Sequence, residues 1–117
     1  MVESLTEFLW KHCEYLHKDN TKEILRDAIK KHLEYKTIVW VNDEKGLASV
    51  CRFDIEEKTA NILDVAVKKE YRNNNMLQVM LKTGLKFYPK VRQLKFNSMD
   101  KKREFVIPVS LILAKEK

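Results

Sequence analysis

Apolar positions in the first third of the chain recur at a helical interval. Leu5, Phe8, Leu9, His12, Cys13 and Leu16 form one stripe, and Ile24, Leu25, Ala28, Ile29, His32 and Leu33 form a second. Each stripe predicts a helix with one buried face. Asn20 stands before the second stripe with Glu23 three residues on, the spacing of a capping box. The period then shortens to that of a strand. Residues 37–41 are β-branched and aromatic, residues 42–46 form a polar loop ending in glycine, and residues 47–53 follow as the return strand of a hairpin. After a polar turn, residues 61–67 are apolar on both faces at Ile62-Leu63 and Val65-Ala66-Val67, which predicts a central strand covered on two sides. Helical spacing returns at Leu77, Met80, Leu81, Gly84, Leu85 and Tyr88 and stops at Pro89. Residues 93–97 predict a short strand and residues 104–114 a long one. Pro108 inside the latter places it at a sheet edge or on a bulge.

This order predicts one mixed α/β domain over residues 1–117: two N-terminal helices, a three-strand antiparallel meander, a helical crossover to a parallel strand, and a C-terminal edge strand. The crossover is expected to be right-handed. With 44% hydrophobic and 34% charged residues the chain has a globular balance. No apolar run approaches the roughly 18 residues of a membrane span, and no signal-peptide pattern opens the chain, so a cytoplasmic protein is expected. Cys13 and Cys51 fall inside apolar periodic segments and are expected to be buried, reduced thiols. Cys13 and His17 stand four apart, but two ligands are too few for a metal site. Charge is unevenly spread. Residues 1–58 hold 10 Lys/Arg against 12 Asp/Glu, a net of −2, and residues 59–117 hold 13 against 5, a net of +8. A basic half suits an anionic partner and also suits simple solubility.

The segment VAVKKEYRNNNML, residues 65–77, joins an apolar strand to a helix through a basic, asparagine-rich turn. The amides at a helix start, with the positive end of its dipole, favour an anion there. The same residues also describe a polar turn with an asparagine N-cap and no ligand. In layout and element order the chain resembles the GNAT N-acyltransferase superfamily over roughly residues 20–97. The resemblance implies that Val65, Ala66 and Val67 lend backbone groups to the pantetheine arm of acetyl-CoA. It further implies that Arg72, Asn73, Asn74, Asn75, Met76 and Leu77 wrap the pyrophosphate. Arg72 matches the first position of the family turn, while Asn75 and Leu77 stand where glycine, and glycine or alanine, belong. Asparagine tolerates positive φ better than most residues. Leu77 either blocks the approach to the phosphates or turns into the core with the helical stripe.

Asp64 lies between apolar neighbours on the central strand. Burial there would raise its pKa and let it take a proton from an amine; the other reading is that it faces water or pairs with a lysine. The family's usual tyrosine acid has no counterpart, because no tyrosine follows residue 88, and its first strand is also missing. His12, His32, Met76, Met80 and Phe87 read as packed side chains. Two functions follow. One is an acyl-CoA-binding domain that passes an acetyl group to an amine. The other is an inactive GNAT-like module that binds an acidic protein or nucleic acid through Lys82, Lys86, Lys90, Arg92, Lys95, Lys101, Lys102 and Arg103.

Overall fold

The computed structural model describes residues 1–18, 20–72, 75–97 and 103–113. Its elements are α1 (Val2–His12), a 3-10 turn (Glu14–His17), α2 (Lys22–Tyr35), β1 (Ile38–Asp43), β2 (Gly46–Glu56), β3 (Thr59–Val67), a second 3-10 turn (Lys69–Tyr71), α3 (Met76–Leu85), β4 (Gln93–Asn97), β5 (Glu104–Pro108) and α4 (Val109–Leu113). The strands form one sheet in sequence order, β1-β2-β3-β4-β5. Neighbours run antiparallel except β3 and β4, which are parallel and joined through α3. The mixed α/β order read from the sequence is therefore the observed one, with β3 in the middle.

Each face of the sheet has its own core. On one, Leu5, Leu9, Leu25 and Ile29 from α1 and α2 pack on Ile38, Val50 and Ala66. On the other, Met80 and Leu81 from α3 pack on Val39, Cys51, Phe53, Ile62 and Leu94. Gly84 brings α3 close to the sheet, since a Cβ there would meet the Phe53 ring at 3.3 Å. Between them β3 carries a bulge. Its register with β2 passes from Asp64 opposite Arg52 to Ile62 opposite Phe53, so Leu63 is the extra residue. Ala60 and Ile62 belong to the α3 side. Beyond Leu63, Ala66 belongs to the α1/α2 side and Val65 and Val67 pack on the α3 side. The strand thus exchanges its two faces at one residue.

Four local readings are corrected. The first helix ends at His12, and Leu16 is buried from the following 3-10 turn. The cap of α2 is Thr21, whose Oγ1 accepts from the Ile24 N–H at 3.2 Å, not Asn20. β5 stops at Pro108 and α4 starts at Val109, because proline has no N–H for a ladder and a φ suited to entering a helix. Residue 114 lies outside the described residues, but the expected edge position is correct. Phe87 is half exposed beneath the Lys36 ammonium, 5.4 Å from the ring centroid, and is not part of the core. No described helix is long and apolar enough to cross a membrane.

Candidate functional site

The sheet opens where its parallel pair ends. β3 and β4 pair only from Thr59 opposite Gln93 to Ile62 opposite Phe96. The bulge at Leu63 follows at once, and β3 continues to Val67 without β4 beside it. Backbone direction along this stretch follows from its end. The Lys68 N–H donates to the Ala48 carbonyl of β2 at 2.9 Å, so alternation turns the peptide groups of Ala66 and Asp64 toward β2 and those of Val65 and Val67 outward. The Val67 carbonyl accepts from Arg72 Nε at 3.2 Å, and the Cys13 thiol donates weakly to the Val65 carbonyl at 3.9 Å. The amides of Val65 and Val67 face the opening. Ala66, grouped with them in the sequence reading, instead directs its backbone at β2 and its methyl into the α1/α2 core.

Past Val67 the chain makes its 3-10 turn and reaches α3. Arg72 is exposed, and Asn73 and Asn74 lie outside the described residues. Asn75 is the N-cap, with φ −79° and no side-chain capping bond. Its tolerance of positive φ is therefore not used. No acidic residue occupies the first turn of α3, and the first intrahelical bond runs from the Val79 N–H to the Asn75 carbonyl at 3.0 Å. Neither the Asn75 side chain nor an acid in the first turn offsets the positive partial charge of this helix start. Met76 is half-buried and Leu77 packs against the α3 core. Leu77 is thus part of the helical stripe.

The turn is fastened by a cluster that pattern reading did not find. Asp43, ending β1, accepts from Lys68 Nζ and from the Tyr71 hydroxyl, both at 3.1 Å through Oδ2, and from the Lys45 N–H at 2.8 Å through Oδ1. The Lys45 amide first, then Lys68, hold the Asp43 carboxyl below its usual range. The bond to Asp43 in turn pushes the Tyr71 phenol up. His12 stands near enough to feel the same cations. Its pKa is pushed down by burial first, then by Lys11, Arg72 and Lys68.

Asp64 is held from across the sheet. Arg52 donates Nε to Asp64 Oδ2 at 2.6 Å, and its terminal nitrogen meets the same oxygen; the side chains are 13% and 2% exposed. The pair lies on the α1/α2 side, beside His32, whose Nδ1 sits 2.7 Å from the Thr37 hydroxyl. Burial lowers the His32 pKa most and Arg52 lowers it further, while Asp54, Thr37 and Asp64 oppose them. Asp64 is paired with an arginine and is buried, not turned to water. Recognising it needed the register across the bulge. Cys51, opposite Val65, is fully buried and its thiol is pushed up to about 12 by burial. Next to it on the same face, the buried Ser49 hydroxyl has no hydrogen-bond partner among the described residues.

The remaining candidates are dispersed. Cys13 points at the Val65 carbonyl, while His17 stacks on Trp10 and meets its carbonyl at 2.7 Å. Of the basic residues, Lys95 is paired with Glu104 at 2.8 Å and Arg103 sits over the Phe105 ring. Lys101 and Lys102 lie outside the described residues.

No sequence-family model matches the chain, and no curated protein sequence matches it. Solved structures do. The PaiA N-acetyltransferase of Thermoplasma acidophilum, solved in complex with coenzyme A, superposes with a TM-score of 0.60 at 17% identity, over 83% of this chain and 72% of that one. A Pyrococcus horikoshii protein classed as an acetyltransferase gives 0.62 at 14% identity, over 83% of this chain but only 34% of its own length. A GNAT-family acetyltransferase of Bacillus anthracis gives 0.52 at 20% identity, over 81% and 62%. At these identities the likeness establishes the fold, and that fold is the one of GNAT acetyltransferases.

Proposed function

We propose that this chain binds an acyl-coenzyme A, acetyl-CoA first among them, along the open edge of β3 and passes the acyl group to an amine. The observation that carries the reading is the parting of β3 from β4 after Ile62 and Phe96, immediately before a basic turn and a helix start with no acidic residue in its first turn. The chemistry fits. Outward amides at Val65 and Val67 suit the carbonyls of an extended pantetheine arm. The start of α3 at Met76 and Leu77, with Arg72 and the asparagines 73–75, suits a pyrophosphate. With Leu77 turned into the core, its branched side chain does not stand against the phosphates. Asp43 ties Lys68 and Tyr71, the approach to the turn, to the β1–β2 hairpin.

The bound thioester would supply the acyl group for direct attack by an amine. Such an amine must reach the site unprotonated or lose its proton there. Asp64, engaged by Arg52, is assigned to holding β2 against β3 beneath the opening. That same pairing favours a second reading, in which the chain binds the thioester without transferring from it. Calorimetric titration with coenzyme A and acetyl-CoA tests the shared part: both should bind and raise the melting temperature by mass action. Release of free thiol from acetyl-CoA in the presence of polyamines or peptide amino termini separates the two. Absence of any binding would remove both and leave only the interaction-module function.

A further inference from the structure

A cleft of about 410 Å³ lies between one face of α2 and the end of β2, on the side of β2 turned away from β3. β1 begins at Ile38, opposite Arg52, so β2 runs on past it. The Phe53 N–H still donates to the Thr37 carbonyl at 3.0 Å. Alternation then turns the N–H and carbonyl of Ile55 the same way, into the cleft that Ile55 lines. Among the described residues, no backbone hydrogen bond from outside the β2–β3 ladder reaches them. His32 faces the same space. The Thr37 hydroxyl donates to the His32 carbonyl at 3.4 Å, so its oxygen accepts from Nδ1 at 2.7 Å. Nε2 is then the bare nitrogen of the ring, and it stands 4.0 Å from the exposed Asp54 carboxylate, too far for the two to bond. Lys31 brings a cation to the cleft, and Tyr35 and Tyr88 bring aromatic surface. The Tyr88 hydroxyl donates to the Tyr35 carbonyl and ties these two segments together.

We propose that this cleft binds a free α-amino acid with an apolar side chain, at a site separate from the acyl-CoA opening. Two acceptors 4.0 Å apart can both take hydrogens from one ammonium, which places the amino group between His32 Nε2 and the Asp54 carboxylate. Burial keeps the His32 ring from charging, so Nε2 stays an acceptor. The carboxylate of the ligand then meets the Lys31 ammonium and the Ile55 N–H. Its side chain lies along Ile55, Tyr35 and Tyr88. The size of the cleft is that of a small-molecule site. A simple amine would meet Lys31 as a like charge, and a simple carboxylate would meet Asp54 as one. Opposite charges in one cleft therefore select a zwitterion over either. A metal is not served, since no third His, Cys or carboxylate joins His32 and Asp54 among the described residues.

Leucine titrated into the isotope-labelled full chain, followed by NMR, tests this. The Ile55 amide and the His32 ring nitrogens should shift together and saturate. Isoamylamine and isocaproate, which are leucine without its carboxylate and without its amino group, should each bind about tenfold more weakly or worse. Asp54→Asn and Lys31→Ala, both at exposed positions, should each weaken leucine binding about tenfold. Coenzyme A binding, titrated separately, should be the same in both variants as in the parent. A circular-dichroism melt of each variant shows whether the fold is kept; if one substitution unfolds the chain, the other alone decides. Leucine that shifts neither Ile55 nor His32 up to its solubility limit overturns the proposal. So does an analogue of single charge that binds as tightly as leucine, or leucine binding indifferent to the substitutions.

Discussion

Replacing Asp64 by asparagine keeps the shape of the side chain and removes its charge. Arg52 is then left as a cation with only 13% of its side chain exposed. Removing one member of a buried pair costs about 3–5 kcal/mol when the other is stranded dry. The amide oxygen of asparagine can still accept one bond, and Arg52 keeps some water, so the expected cost is about 2–3 kcal/mol. For 117 residues, an unfolding entropy of about 2.1 cal/mol/K per residue makes that a fall in melting temperature of about 8–12 °C. Arg52→Met strands the carboxylate instead and should cost at least as much. The double variant, with neither charge, should recover more than about 1 kcal/mol relative to the sum of the two. Urea melts of the four proteins measure the cycle. If Asp64→Asn melts within about 2 °C of the parent and yet abolishes acyl transfer, the reasoning is refuted and Asp64 is a base.

Three further outcomes are expected. Burial keeps His32 and His12 below the ordinary imidazole pKa of about 6.5; the unfolded chain therefore takes up protons first, and stability should fall as pH drops through that value, with His32→Gln flattening the fall. Stability that rises on acidification over that window would contradict it. Because Arg72 and Lys68 help to depress His12, coenzyme A bound at the turn should raise the His12 pKa in an NMR titration, and Arg72→Ala should weaken binding about tenfold; an unchanged His12 on saturation would place the ligand elsewhere. Ser49→Ala removes a buried hydroxyl that has no partner among the described residues and should leave the protein as stable or up to about 1 kcal/mol more stable, whereas a large loss in a urea melt would reveal a partner for that hydroxyl.

What could be read from the sequence was what repeats locally. The stripes on α1 and α2, the meander, and the double-sided run at residues 61–67 all became elements of the expected kind and order. The parallel β3–β4 pair followed because a helix separates the two strands. What stayed hidden depended on register. The Arg52–Asp64 pair and the Asp43–Lys68–Tyr71 fastening join residues whose facing is set only once the strands are aligned. The bulge left one trace, the adjacent apolar residues Ile62, Leu63 and Val65, but its position is a property of the β2–β3 alignment. Leu77 needed the direction of the α3 face to place it. The C-terminal run reads as one long strand because Val109 and Leu111 are as apolar as the residues before Pro108, whereas the proline is the boundary between β5 and α4.

The bulge has a consequence for how the gene can vary. Leu63 is 40% exposed, so its side chain is free to change in size and polarity with little loss. Its place in the chain can also be lost. A codon deleted there would leave Ile62 opposite Phe53 and Asp64 opposite Arg52 in an unbroken ladder, with every side chain of residues 64–67 still on its present face. What would go is the local bend. The strand therefore tolerates both substitution and loss of residue 63, and variants with eight residues in β3 in place of nine should keep the fold.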